Sequence, residues 1–201
     1  MHKIAIMIPA AGASSRMKGR DKLLEPVDGL PLLLRQARMA MKCGCDVLVT
    51  LPTGAAGAKR RAVLRQADQL NVQIIPDAPE GIAASLRAGA AWAQAAELDA
   101  LMIVLADLPD LTGDDLRALM RAAMDKPGQV IRAVDQKGRP GHPVIFPARL
   151  FPAMARLSGD QGARDLLRQE DVAALPLAGD RATTDLDTPK AWARWRARTG
   201  R

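Results

Sequence analysis

The N-terminal stretch of this chain joins a short apolar segment directly to a loop of small residues. Residues 4–8 read Ile-Ala-Ile-Met-Ile, which is typical of a strand buried in a parallel sheet. Residues 10–13 read Ala-Ala-Gly-Ala, and such small side chains allow an anion to approach the backbone N–H groups. Arg16 and Lys22 follow with positive charge. The stretch therefore predicts a phosphate-binding loop behind a buried first strand.

The loop differs from the two commonest nucleotide-binding motifs. It has neither the GxGxxG spacing of dinucleotide-binding folds nor the GK[ST] ending of P-loop ATPases. Both of those classes are therefore poor interpretations of the chain. The remaining structural alternative is an ordinary strand-to-helix turn with solvated cations.

Apolar and amphipathic segments alternate along the rest of the 201 residues. The predicted strands are 4–8, 46–51, 72–75, 100–106, 129–134, a strand entered through 138–146, and 172–177. The predicted helices are 31–43, with Pro31 at the first position, 55–70, 82–96, one after Thr112 and one after Thr188. Such alternation favours right-handed crossovers. We expect a single α/β domain over residues 1–201, with a mostly parallel, Rossmann-like sheet flanked by helices and residues 100–106 as the central strand.

The net charge of +7 is compatible with nucleic acid, an anionic membrane surface or small anionic substrates. Aromatic residues make up only 2% of the chain, and proteins that stack bases need several of them beside their cations. Nucleic-acid binding is therefore disfavoured. The tight cationic run Lys59-Arg60-Arg61 is interpreted as a solvated helix face.

Cysteine content and apolar runs bear on the cellular compartment. Cys43 and Cys45 are too close for an easy disulfide and have no second cysteine pair to complete a zinc site. No apolar run approaches the roughly 20 residues that a membrane span requires. The sequence predicts a soluble cytoplasmic protein with no membrane partner.

Two aspartates precede predicted helices but are not needed as their N-caps. Asp107 follows the predicted central strand, and ligands gather at the carboxyl ends of strands in open α/β sheets. Thr112 with Asp115 is predicted to cap the next helix, and Thr188 with Pro189 the last one. Asp107 and Asp187 are therefore free for another role.

Six segments, in order, resemble one enzyme family. They read A-A-G-A-S-S-R-M with K-L-L (10–17 and 22–24), E-G-I-A-A-S-L (80–86), L-A-D-L-P (105–109), G-R-P-G-H-P-V-I-F (138–146), G-D-Q-G-A-R-D-L-L (159–167) and D-L-D-T-P (185–189). The pattern resembles nucleotidyltransferases of the molybdenum cofactor cytidylyltransferase type. Ile82 and Ala83 stand where that family usually has Met and Gly.

The resemblance implies a reaction and its partners. The enzyme would transfer CMP from CTP to the terminal phosphate of molybdenum-bearing molybdopterin and release pyrophosphate, with Mg²⁺ as cofactor and a molybdenum hydroxylase as the enzyme that receives the product. A related guanylyltransferase on the same fold, which reads L-A-G-G where this chain has residues 9–12, is the nearest alternative. A catalytically silent nucleotide-binding partner of a molybdenum hydroxylase is the alternative of another class.

The resemblance also assigns residues. Arg16, Lys22 and Asp107 would be catalytic, and Asp107 and Asp187 would hold the metal, with Asp185 as an outer candidate. His142 and Arg164 would bind the acceptor, although a lone histidine between Gly and Pro is often structural. The nucleotide would be bound by Ala10, Ala11, Gly12, Ser14, Asp77, Gly81 and Ser85.

Overall fold

The computed structural model describes residues 3–159 and 162–201, so Asp160 and Gln161 of the 159–167 motif lie outside the described residues. The main strands are β1 (Ile4–Pro9), β4 (Val47–Pro52), β5 (Asn71–Ile75), β6 (Ala100–Ile103), β7 (Val130–Val134), β8 (Pro140–Pro147) and β9 (Val172–Pro176), and a small hairpin is formed by β2 (Pro26–Val27) and β3 (Leu30–Pro31). The helices are α1 (Leu32–Met41), α2 (Gly54–Leu64), α3 (Ile82–Ala95), α4 (Gly113–Asp125), α5 (Phe151–Met154), α6 (Arg164–Arg168) and α7 (Pro189–Thr199).

The main strands form one seven-stranded sheet in the order β5-β4-β1-β6-β8-β7-β9. Strand β8 runs antiparallel to both of its neighbours, and the other four pairings are parallel. The predicted α/β fold and its mostly parallel sheet are therefore confirmed. Strand β6 occupies the middle of the sheet, as the long apolar run at 100–106 predicts.

The core lies on both faces of this sheet. Along β1, Ile4, Ile6 and Ile8 contribute to a cluster on one face, while Ala5 and Met7 contribute to the other. The first face is covered by apolar residues of α1 and α4, and the second by those of α3 and α5. This alternation follows from the two-residue period of a strand, and it places β1 between helices on both faces of the sheet.

The segment before α1 differs from the prediction. The sequence predicts that Pro31 opens the helix, but β2 and β3 form a hairpin and Pro31 precedes the helix as its N-cap. Asp28 and Gly29 both have positive φ, at 53° and 76°. An Asp-Gly pair in this conformation is the preferred two-residue hairpin turn, which explains the difference.

Several other boundaries differ, and β6 ends at Ile103 rather than at residue 106. Helix α2 ends at Leu64 rather than at residue 70, and Gln69 lies in the left-handed region at φ 68°, which an α-helix cannot include. Strand β8 begins at Pro140, so His142 lies within the strand and not in a loop before it.

The last helix is anchored as its sequence predicts. Thr188 accepts a hydrogen bond from the Ala191 N–H, Pro189 occupies the first helical position, and Trp192 and Trp195 are buried. Within the described residues, no helix has both the length and the apolar character needed to cross a membrane.

Candidate active site

The predicted phosphate-binding loop and Asp107 lie side by side because the strands that lead into them are parallel neighbours. Met7 of β1 pairs with Ile103 of β6, and the Val104 N–H donates to the Met7 carbonyl at 2.9 Å. Both segments therefore leave the sheet at the same edge. They border a cavity of about 550 Å³.

Most of the residues predicted for the nucleotide line this cavity. Its walls come from the loop after β1, the turn before α3, the end of β6 and the segment before α7. The predicted residues among them are Ala10, Ala11, Gly12, Arg16, Lys22, Gly81, Ser85, Asp107 and Asp187.

Two predicted nucleotide residues do not line the cavity. The Ser14 hydroxyl donates to Asp21 at 3.2 Å, and Ser15 lines the cavity in its place. The Asp77 carboxylate is exposed and pairs with Arg87 on the outer side of the turn. Both side chains therefore bind nearby protein groups instead of facing the cavity, and the spacing of the motif could not predict this.

Lys22 lies between the two aspartates that were predicted to hold a metal. Its ammonium nitrogen is 2.5 Å from Asp107 Oδ2 and 2.5 Å from Asp187 Oδ1, and Arg16 is 2.6 Å from Asp187 Oδ2. The Leu186 N–H also donates to the Asp107 carbonyl at 3.2 Å, which ties the two aspartate segments together. The predicted cations and carboxylates thus form one ion-pair cluster.

The opposite charges in this cluster stabilise the ionised forms of Lys22 and Asp187. Burial opposes the charge on Lys22, but Asp107 and Asp187 outweigh it and raise the pKa of the ammonium. Burial likewise opposes the charge on Asp187, and the hydrogen bond and charge of Lys22 overcome it and lower the pKa of that carboxyl. Lys22 therefore remains a cation, ready to face an anionic ligand.

Both aspartates are free of the caps beside them. Thr112 and Asp115 form the predicted capping box, and Thr188 caps α7. Asp185 does not contact Lys22 as Asp107 and Asp187 do. Burial and the hydrogen bond to Asp187 raise the pKa of the Asp185 carboxyl.

The residues present fit a magnesium ion. Asp107 Oδ1 is buried and has no hydrogen-bond partner within the described part of the chain. Magnesium is commonly held by one or two carboxylates together with substrate phosphate and water. Asp107 and Asp187 are two such carboxylates beside the predicted phosphate loop.

A second cavity of about 200 Å³ adjoins the first, and Ile82 lines both. The two residues predicted for the acceptor, His142 and Arg164, both line it. Arg132 lines it as well and donates to the Gly141 carbonyl at 3.1 Å. Sequence reasoning missed Arg132, although a lone cation inside the otherwise apolar strand 130–134 was the available signal.

The imidazole of His142 is neutral at neutral pH. Burial, with a smaller contribution from the charge of Arg132, lowers its pKa to about 4, although Asp107 acts in the opposite direction. The side chain can therefore donate one hydrogen bond and accept another in the second cavity, without adding to the positive charge of Arg132 and Arg164.

We expect His142 to make the protein less stable in acid. The unfolded chain binds a proton at His142 near pH 6.5, whereas the folded chain binds it only near pH 4. Stability from this group is therefore complete above pH 6.5 and falls as the pH drops toward 4, by at most about 3 kcal/mol. Urea unfolding of wild type and His142→Gln at several pH values should show a shallower pH dependence in the variant. Parallel curves would contradict this assignment.

Arg60 corrects the interpretation of the 59–61 run as a solvated face. Its side chain is 1% exposed, and it donates to the carbonyls of Ala10 and Gly12 at 2.7 and 2.8 Å and to Asp21 Oδ2 at 2.7 Å. The burial of Arg60 was predictable from helical periodicity, because Arg60 lies three residues after Gly57 and four before Leu64, and both are buried on the inner face of α2. Lys59 and Arg61 are exposed as predicted.

Comparisons with known proteins agree with this geometry. Residues 6–174 match the family described as the MobA-like NTP transferase domain. The chain is 31% identical to the purine catabolism protein PucB of Bacillus subtilis, with 91% of each chain covered. It is 28% identical to a probable molybdenum cofactor guanylyltransferase of Synechococcus elongatus, covering 90% of this chain and 93% of that one.

A solved structure, Rv0371c from Mycobacterium tuberculosis, shares 27% identity and superposes with a TM-score of 0.80 over 96% of this chain and 97% of that one. The same protein has been solved in complex with manganese, with a TM-score of 0.77 and 25% identity over the same shares of the two chains. The family match, the PucB relationship and the shared architecture lead to one conclusion: this chain is a nucleotidyltransferase that belongs to the MobA-like NTP transferase domain family.

Proposed function

We propose that this nucleotidyltransferase uses CTP and Mg²⁺ to transfer CMP to the terminal phosphate of molybdenum-bearing molybdopterin. The observation that carries the proposal is the pair of adjoining cavities. One brings the small-residue loop together with Lys22 and the two aspartates, and the other brings two arginines together with His142. A triphosphate in the first cavity would meet a phosphate-bearing acceptor in the second near Ile82.

The reaction balances without a side-chain base. An anionic oxygen of the acceptor phosphate attacks the α-phosphorus of CTP, and a new P–O bond forms. The bond between that phosphorus and the α–β bridging oxygen breaks, and pyrophosphate leaves with the electron pair. Because the attacking oxygen carries no proton at neutral pH, the protein has to align the reactants and neutralise charge.

Lys22 and Arg16 are the residues that neutralise the leaving group. Both lie on the loop side of the cavity, and the pKa of Lys22 is raised by the carboxylates, so its charge is retained when the site is buried. Arg16 is carried by a 3₁₀ turn, Ser15–Met17, whose Met17 is fully buried. A bound Mg²⁺ held by Asp107 and Asp187 would supply further charge neutralisation on the phosphates. The manganese complex of Rv0371c supports a divalent ion in this fold.

The second cavity suits an anionic acceptor that also has apolar surface. Arg132 and Arg164 are close enough for the charge of Arg164 to contribute to the lowered pKa of Arg132, after the larger effect of burial. Two close cations favour a phosphate monoester with two negative charges. The remaining walls are mostly apolar and come from Ile82, Leu86, Ile103, Val144, Phe146 and Leu167.

Pyrophosphate release is the direct test of the proposal. Purified protein would be given each of the four nucleoside triphosphates, with and without Mg²⁺ and with and without the molybdenum-bearing acceptor. The proposal requires release with CTP only when both Mg²⁺ and acceptor are present. Nucleotide binding without release under any condition would instead favour a catalytically silent nucleotide-binding protein.

We predict a preference for CTP over GTP that depends on Ala11. Ala11 lines the cavity, and its side chain belongs to a buried apolar cluster with Ile75 and Ala84. Removing the methyl group by Ala11→Gly gives a larger base more room, and we expect the ratio of kcat/KM for CTP over GTP to fall about 10-fold. Competition between CTP and GTP in one reaction measures that ratio.

Ala13→Gly is the matched control for this prediction. It adds the same backbone freedom to the loop but lies two residues further along, and it should leave the CTP to GTP ratio unchanged. A wild-type preference for GTP would move this chain toward the guanylyltransferases named among its relatives.

A further inference from the structure

The buried face of the phosphate-binding loop is held by one side chain from another element. Arg60 of α2 donates through one nitrogen, Nη1, to the carbonyls of Ala10 and Gly12, at 2.7 and 2.8 Å. Arg60 does not line the cavity, whereas Ala11, Gly12 and Ala13 do. The loop therefore lies between the guanidinium and the cavity.

These two hydrogen bonds determine which way the loop N–H groups point. In a planar trans peptide the N–H is directed opposite to the C=O. Because the Ala10 and Gly12 carbonyls point at Arg60, the N–H groups of Ala11 and Ala13 point away from it, toward the cavity. Within the described residues, neither N–H has a hydrogen-bond partner in the protein.

The other end of the guanidinium holds the segment that carries Lys22. Arg60 Nε is 2.7 Å from Asp21 Oδ2, and Arg60 Nη2 is 2.9 Å from Asp21 Oδ1. Asp21 Oδ1 also accepts from the Leu23 N–H at 3.0 Å. Arg60 therefore holds both chain neighbours of Lys22, Asp21 directly and Leu23 through the Asp21 carboxylate.

We propose that Arg60 is a positioning residue for triphosphate binding: it holds the Ala10–Ala13 loop with two N–H donors aimed at the phosphates and holds Lys22 beside them. This role rests on the proposed function, since it requires a triphosphate in the first cavity. Arg60 acts from behind the loop and does not touch the substrate. Its fork of donors reaches four acceptor groups in fixed directions, namely two carbonyls, the Asp21 carboxylate and the Ser14 hydroxyl, which the single ammonium of a lysine cannot do.

A buried arginine paired with an aspartate has a structural effect as well, and the test must separate the two. Arg60→Met leaves the Asp21 carboxylate without its partner and is expected to destabilise the fold. The double variant Arg60→Met with Asp21→Asn removes that uncompensated charge and should recover most of the lost thermal stability. Arg60→Lys retains the charge without the fork, and Arg61→Met is the matched control on the exposed face of α2.

Binding would be measured by calorimetry with CTP and, separately, with inorganic tripolyphosphate, each with Mg²⁺, on protein shown to be folded by its melting transition. We expect the Kd for both ligands to rise about 10- to 30-fold in Arg60→Lys and in the double variant, with wild-type values in Arg61→Met. In wild type, tripolyphosphate should shift the amide NMR signals of Ala11 and Ala13, and these shifts should be reduced in Arg60→Lys.

The outcomes distinguish the two proposals. If wild type binds the triphosphates and the folded double variant binds them equally well, Arg60 has only a structural role and this inference is overturned while the proposed function stands. If wild type binds neither ligand, the proposed function fails and the positioning role fails with it.

Discussion

Asp107→Asn is expected to reduce turnover by about 10³-fold, the largest effect of any single change considered. The carboxylate follows the central strand, one of its oxygens accepts from Lys22 at 2.5 Å, and the other is buried without a partner among the described residues. An amide retains the shape but removes the charge that would hold the metal and orient Lys22. Losing one such electrostatic contact costs 10²- to 10³-fold, and Asp107 serves both groups.

Steady-state pyrophosphate release at several Mg²⁺ concentrations would measure this effect. Stability should change little, by about 1 kcal/mol, because Lys22 keeps its contact with Asp187. Asp187→Asn should behave similarly, and Asp125→Asn, at the exposed end of α4, is the matched control. Mg²⁺-dependent turnover retained in Asp107→Asn would remove that residue from the metal site.

Lys22→Met is expected to reduce kcat by about 10²-fold, with a smaller increase in the KM for CTP. The ammonium is positioned by Asp107 and Asp187 beside the phosphate loop, so it interacts with the leaving pyrophosphate more strongly as the bond breaks. Lys18→Met is a suitable control, because Lys18 lies in the same stretch but is exposed and does not line the cavity.

The same substitution should destabilise the metal-free protein by about 1–3 kcal/mol, because the two carboxylates lose the cation between them. In the wild-type protein Lys22 lowers the pKa of the Asp187 carboxyl, so this pKa rises when Lys22 is removed. The stability deficit from Asp187 is therefore greatest at neutral pH and shrinks as the pH falls and Asp187 binds a proton. A folded Lys22→Met protein with near-normal kcat would show that the loop cation is structural.

The fold and the position of most candidate site residues around one cavity were predictable because they depend on local patterns. The apolar runs at 4–8 and 100–106 identify two buried strands, and parallel neighbours release their following loops at the same edge of the sheet. The sequence also predicts that Thr112 and Thr188 cap their helices, and the structure confirms this. Asp107 and Asp187 are therefore not used as helix caps. The hairpin at 26–31 was also readable from its Asp-Gly pair but was not inferred.

Other features of the site were decided by the tertiary structure. Arg60 in a run of three cations looks like its neighbours, and its burial depends on carbonyls and a carboxylate that lie 39 to 50 residues away along the chain. The place of Lys22 between Asp107 and Asp187 likewise depends on segments 85 and 165 residues distant. Periodicity predicts which face of an element is buried, but a long charged side chain goes to whichever acceptors the folded chain brings within its reach. The sequence by itself therefore determined the sheet, the predicted phosphate loop with Arg16 and Lys22, and the two aspartates outside the helix caps. Only the tertiary structure decided that Lys22 lies between those aspartates and that Arg60 is buried behind the loop.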